Sequence, residues 1–266
     1  MNMGTETGGH MAARTYKDSL FKDLFGSEER KEYTLSLYNA LAGTGYDDPD
    51  ELELTTLSDV IYLNVRNDVS FLIGDETVLW EHQSTRNPNM PLRGLVYFGR
   101  LLSRYVEERN LNVYGSRLLR LPTPRFVVFC NGEGMGAAEE LLHLSDSFSG
   151  EGDVDVRARV VNINSGSGAK ALDRCEALAG YAELVARVRS NGATMDFSKA
   201  VDRAVASCIR DGILAEYLAP RRAEVKDMFM TEYDEDRVHE WYREEGREEG
   251  RAEGILESAS AIMKSM

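Results

Sequence analysis

The chain of 266 residues is short of the features that define several protein classes. Its three cysteines, Cys130, Cys175 and Cys208, are widely spaced and odd in number. That excludes a disulfide framework and a cysteine-based zinc site, and their apolar surroundings read as small buried hydrophobes. No apolar run approaches the roughly 18 residues of a membrane span, and no charged–apolar–small signal opens the chain. The most apolar stretch, Arg125-Phe-Val-Val-Phe-Cys130, is strand-sized. A 42% hydrophobic share excludes a disordered or fibrous chain. A cytoplasmic, soluble protein without a membrane partner is expected.

Charge is abundant but uneven. Against 31 basic side chains stand 45 acidic ones, a net of −14. From Glu81 to Arg125 there are eight Arg, no Lys and three Glu, a local net of +5. From Glu232 to Ser258 eleven acidic residues face four basic ones, a local net of −7. An acidic total therefore leaves room for a polyanion partner on one segment, while arguing against indiscriminate coating of DNA.

Residues 1–14 are expected to be a flexible leader, and the small polar stretch ending Gly8-Gly9-His10 is its clearest part. Tyr16 to Leu41 reads as helix, with Ser27 able to cap a second helical stretch. Strand-like runs follow at about residues 54–63, 68–73 and 77–83, and Gly74-Asp75 suits a two-residue hairpin turn. A helix is expected from Pro91 to about Glu108. Strands are expected near residues 125–130 and 154–164, and helical pieces near 169–190, 198–214 and 220–230. The segments 15–165, 166–230 and 231–266 thus read as a mixed α/β core, a helical extension and an acidic tail rich in Glu, Gly and Arg. The tail repeats every four residues from Arg243 to Gly254. Its glycine column would permit helix–helix contact in a homo-oligomer, or the tail is simply a frayed, solvated end.

If Gly74-Asp75 is the turn, Ile73 pairs with Glu76 and Asp68 falls opposite Glu81. Opposed residues share a sheet face with Cβ atoms about 5 Å apart, and alternation brings Gln83 to the same face. Two carboxylates so placed repel by about 3 kcal/mol at an effective dielectric near 20. A divalent cation removes the repulsion: Mg²⁺ takes one or two carboxylates and keeps waters and phosphate oxygens in its remaining positions. Two solvated acids at strand ends are the plain alternative.

Asp68, twelve intervening residues and then Glu81-His-Gln83 resemble the Asp…(Asp/Glu)-x-Lys signature of the PD-(D/E)xK nuclease superfamily, with Gln at the Lys position. Asn67-Asp-Val-Ser-Phe71, Glu81-His-Gln-Ser-Thr85 and Asn87-Pro-Asn-Met-Pro-Leu-Arg93 are similar to the recombination-promoting nuclease/putative transposase family within it. Leu37-Tyr-Asn-Ala-Leu41, Leu121-Pro-Thr-Pro124, Asn131-Gly132 and Leu144-Ser-Asp146 extend the likeness from about Thr15 to the C-terminus. The resemblance implies a metal-dependent DNA endonuclease on a restriction-endonuclease-like αβββαβ core, acting in recombination or mobile-element DNA processing. It implies catalytic roles for Asp68, Glu81 and Gln83, with Mg²⁺ or Mn²⁺ held by Asp68 and Glu81. Gln83 offers neutral amide dipoles where Lys would offer charge. Asp18 and Asp23, before the strands, are further candidate acids or else solvated surface groups.

In the helix after Pro91, Arg93, Tyr97, Arg100 and Arg104 follow spacings of 4, 3 and 4 and share one face, with Leu92, Leu95, Val96 and Leu102 turned toward the rest. Three arginines and an aromatic suit a DNA phosphate track, or an ordinary solvated face. Gly132-Glu-Gly-Met-Gly-Ala137 formally fits a dinucleotide fingerprint ahead of a helix-like run. His82 falls on the face opposite the carboxylates and reads as a packed core histidine. Two further readings remain beside the nuclease: the same fold kept as a DNA-binding or protein-interaction module without useful catalysis, and a nucleotide-binding enzyme using the glycine loop.

Overall fold

The helical spacing over residues 16–41 resolves into two helices, α1 (Leu20–Phe25) and α2 (Lys31–Ala42). The break falls at Gly26-Ser27. There the extended Ser27 accepts a hydrogen bond from the Glu29 N–H and caps the short turn Glu28–Arg30 that leads into α2. The structure, a computed structural model, describes residues 20–55, 68–132, 134–231 and 233. Asp18, most of the first expected strand, and the tail beyond residue 233 lie outside them.

Three antiparallel strands come next in the sheet: β1 (Glu53–Leu54), β2 (Val69–Ile73) and β3 (Glu76–Gln83). The β2–β3 turn is Gly74-Asp75, and Gly74 takes a φ of +52°, which its missing Cβ makes inexpensive. Register runs from Ile73 opposite Glu76 to Val69 opposite Trp80, as the turn residues led us to expect. Helix α3 (Met90–Glu108) then carries the chain to β4 (Thr123–Cys130), which lies parallel to β3. Strands β5 (Glu139–His143) and β6 (Arg157–Asn162) complete a six-stranded mixed sheet of order β1-β2-β3-β4-β6-β5.

A crossover helix on one face and the remaining helices on the other bury the central strands on both sides. Against one face α3 places Met90, Tyr97, Phe98 and Leu101 on Leu79, Phe126, Val128, Ala158 and Val160. The approach is close: a Cβ on Gly94 would meet the Phe126 ring at 2.6 Å, so only glycine fits there. The other face is aromatic. Phe21 of α1 contacts Phe129 and His82, Trp80 meets Phe71 and Phe129 edge-on, and Tyr38 of α2 meets Phe71. All three cysteines are buried and free.

Beyond the sheet come α4 (Lys170–Arg174), α5 (Glu176–Gly192), α6 (Phe197–Arg210) and α7 (Ala215–Leu218). The helix expected over 169–190 is split because Cys175 is extended, with φ −126° and ψ 104°. Leu20–Lys226 forms one unit, so the strands and these helices fold together. Beyond that unit, residues 227–231 and 233 are described and helical. No helix among the described residues is long and apolar enough to cross a membrane.

One expectation fails in the sheet. The helix-like run after Ala137 is strand β5, paired antiparallel with β6 from Glu139–Val161 to His143–Arg157. Its helix-forming Glu and Leu residues are overridden by the open edge of β6 and by cross-strand pairing such as Arg159 with Glu139 at 2.8 Å.

Asp23 is neither a solvated acid nor a neighbour of the carboxylate pair. It sits on α1, the helix that packs on the face opposite α3, and accepts hydrogen bonds from Tyr217 and Arg221 and an ion pair from Arg30 at 3.1 Å. Burial pushes its carboxyl up, but the bonds from Arg221 and Tyr217 and the charge of Arg30 outweigh it and hold it below the ordinary value. The cluster ties α1 to the chain after α7. Removing one partner of a buried pair costs about 3–5 kcal/mol, less where some solvent remains. Asp23→Ala should therefore destabilise by about 2–3 kcal/mol in urea unfolding, and a loss within 0.5 kcal/mol would show that the cluster carries little.

Candidate functional site

The hairpin register decides what the site contains. Val69 opposite Trp80 places the next pair outward, Asp68 and Glu81, at the open end of β2 and β3. The two acids are interlocked. The Asp68 N–H donates to Glu81 Oε1 at 3.2 Å, and the His82 N–H donates to Asp68 Oδ2 at 2.6 Å. Glu81 is 2% exposed, an unusual place for a carboxylate. Its Oε2 receives Arg93 Nη2 at 2.7 Å, and the same guanidinium donates to the Tyr97 hydroxyl from Nε at 3.1 Å and Nη2 at 2.7 Å. Arg93 belongs to the first turn of α3, so the helix start aims a cation back over the strand end. Two positions on from Glu81, Gln83 continues the same face, and its Nε2 is buried without a hydrogen-bond partner among the described residues.

The arginine row lies differently from the expectation. Leu92, Leu95 and Val96 are exposed large hydrophobics of α3, and Arg93 is exposed beside them, while Tyr97 is 4% exposed. The physical reason is that α3 packs through Met90, Gly94, Tyr97, Phe98 and Leu101, and the row 93, 97, 100, 104 borders that packed face. Arg93 reaches Glu81, Arg104 donates to the Thr55 carbonyl, and Arg100 Nη1 is buried without a partner among the described residues. The row is therefore uneven: Arg93 is exposed, Arg100 and Arg104 are half-buried, and Tyr97 is a group that positions Arg93, too buried to contact DNA itself.

Burial drives the Glu81 carboxyl well above its ordinary value, and the negative charge of Asp68 adds to the rise. Arg93 and the Asp68 N–H act in the opposite direction. Burial likewise lifts the Tyr97 hydroxyl, and the charge of Glu81 reinforces it. On the other face His82 is packed as expected. Its ring stacks on Phe21, its Nε2 lies 3.0 Å from the Tyr181 hydroxyl, and burial lowers its pKa to about 4.

As a donor set, Asp68 and Glu81 offer oxygen ligands only, the chemistry that suits a hard divalent cation such as Mg²⁺ or Mn²⁺. Two carboxylates fit a cation that completes its sphere with water and substrate oxygens; they do not make a closed cage. Among the described residues no group of three or more His, Cys, Asp or Glu side chains is arranged to hold a metal. The glycine loop loses its nucleotide reading: it leads into β5, so no helix N-terminus stands behind it to receive a pyrophosphate.

The sequence reading missed three features. The Arg93–Glu81 ion pair had a signal, an arginine in the first turn of the helix that follows β3. Ser70 is buried two residues from Asp68 on the same face, and its Oγ accepts from Thr55 Oγ1 at 3.3 Å; alternation along β2 points to it. The unpartnered donor of Arg100 had no signal at all. No protein-family model, curated protein or solved structure matches the chain.

A group whose folded pKa is raised stabilises most below its unfolded value, here near 4.5, and less as pH rises toward the folded one. Wild type should therefore lose stability relative to Glu81→Gln as pH climbs from about 4 to 8 in urea unfolding, levelling once Glu81 is ionised. A difference independent of pH would contradict the raised carboxyl.

Proposed function

We propose that the chain is a divalent-metal-dependent DNA endonuclease of the restriction-endonuclease-like type, built on the run of α2, β1–β3, α3 and β4. The observation that carries this reading is the opposed pair Asp68 and Glu81 with Gln83 on the same face, whose buried Nε2 has no partner among the described residues. Buried donors without acceptors are uncommon, and a phosphate oxygen is an acceptor of the right kind.

Asp68 and Glu81 would hold Mg²⁺ or Mn²⁺. The bound cation would supply a water of lowered pKa and neutralise charge on the scissile phosphate. Gln83 would donate its amide to a phosphate oxygen or to the attacking water, a neutral substitute for the superfamily lysine. Arg93 holds Glu81 in place and balances its charge while the site is empty of DNA. Water would add to phosphorus as one ester P–O bond breaks, the attacking water giving up a proton to solvent and the leaving oxygen taking one up from it. Sequence preference would be low, since the arginine row and the strand ends contain no element that reads a major groove. Recombination or mobile-element DNA processing is the setting that the resemblance suggests.

A second reading has one observation in its favour. Arg93 already compensates Glu81, so the site is electrostatically complete without a cation, as in a nuclease fold retained for DNA binding or protein contact. Supercoiled-plasmid nicking separates the two. Wild type should nick with Mg²⁺ or Mn²⁺ and not with EDTA. Asp68→Ala should lose about 100-fold or more and Gln83→Ala about 10- to 100-fold. DNA binding without nicking would favour the second reading, and equal cutting by all proteins would place the activity elsewhere.

A further inference from the structure

Helices α5 and α6 pack antiparallel and leave between their outer edges a groove of about 450 Å³, lined by Arg187, Ser190, Arg203, Ser207, Arg210 and Asp211 among others. Three arginines to one aspartate is an unusual lining in a chain of net charge −14. The three arginines are not equivalent. Arg187 is fixed at the floor by Glu183 Oε1 at 2.8 Å, Asp211 Oδ2 at 2.7 Å and Ser207 Oγ at 3.1 Å. Its charge is spent within the fold. Arg210 is exposed and meets Asp211 Oδ1 at 3.1 Å. Arg203 is exposed and has no carboxylate partner among the described residues. Exposed Ser190 adds a hydroxyl on the opposite wall.

Arg203 and Arg210 stand two helical turns apart on one face of α6, about 10 Å along its axis. That separation covers about three nucleotide steps of a DNA strand. An open groove with cations at intervals along one wall and a hydroxyl on the other suits a linear polyanion better than a single compact one. We propose that the α5–α6 groove is a second contact surface for the phosphodiester backbone of DNA, made by Arg203 and Arg210, with Arg187 holding the groove's shape. The groove stands on its own geometry; the choice of DNA as its polyanion rests on the nuclease reading.

The test is anisotropy of a short fluorescein-labelled duplex in EDTA, so that cutting does not enter. Wild type is compared with Arg203→Glu/Arg210→Glu and with the milder Arg203→Gln/Arg210→Gln. Thermal melting by circular dichroism checks that each is folded. Loss of two phosphate contacts should flatten the slope of log K against log salt by about 2 and weaken binding at least tenfold at about 0.1 M salt. The Gln pair should lie between wild type and the Glu pair. Unchanged affinity and slope in both folded arginine pairs would overturn the proposal, and so would failure of wild type to bind the duplex. Calorimetric binding of inorganic pyrophosphate, lost in the Gln pair while duplex affinity is unchanged, would overturn it in favour of a small phosphate ligand. Plasmid nicking judges the nuclease reading separately: nicking with no effect of the arginine pairs defeats the groove alone, and the reverse pattern defeats the nuclease alone.

Discussion

Glu81 holds a carboxylate where water cannot solvate it, and the elements around it are arranged to make that tolerable. An ion taken out of water without compensation costs several kcal/mol. Compensation comes from three directions: the Asp68 N–H across the hairpin, the Arg93 guanidinium from the start of α3, and the Tyr97 hydroxyl that fixes that guanidinium. Each depends on the one before. The N–H is in reach only in this hairpin register, and Arg93 is in reach only because Gly94 lets α3 lie against the Phe126 ring. A slip of one residue would turn Glu81 into the aromatic face and bring Trp80 out to the arginines.

The two faces of β3 thus do different work. Behind it, Trp80 and His82 are locked among Phe21, Phe71, Phe129 and Tyr181, and the histidine is kept neutral by burial. In front, Leu79 is core, Glu81 is buried and clamped, and Gln83 carries a donor without a partner among the described residues. The rigid back fixes the strand, so the front can hold two carboxyl groups side by side, with Glu81 pushed toward its neutral form by burial and by the charge of Asp68. That is the arrangement from which a cation or a phosphate gains most, because the site is already paid for in folding energy and needs no rearrangement.

Much of this was legible in local sequence. Gly74-Asp75 determined the turn, the turn determined the register, and the register placed Asp68 opposite Glu81. The mixed α/β class followed from the order of periodic segments. What could not be read depended on long-range geometry. The residues of β5 favour a helix, and only the vacant edge of β6 makes them a strand. The row from Arg93 to Arg104 has a clear period, but a period does not say which neighbour a face meets; close packing at Gly94 turned the aliphatic residues outward. Asp23 looked like any acid in a helix because its partners Tyr217 and Arg221 lie almost 200 residues further along the chain. Arg203 and Arg210 acquired meaning only when α5 supplied the opposite wall of a groove.

The central claim is that the carboxylate pair holds a divalent cation, and it is tested before any question of DNA. Electron paramagnetic resonance of Mn²⁺ titrated into the protein reports bound metal directly, as loss of the free-ion signal. The account predicts a single class of site in wild type, competed by Mg²⁺ and lost in both Asp68→Asn and Glu81→Gln, each checked for folding by circular dichroism. Equal Mn²⁺ binding in wild type and in both variants, or none in wild type at millimolar metal, would contradict it.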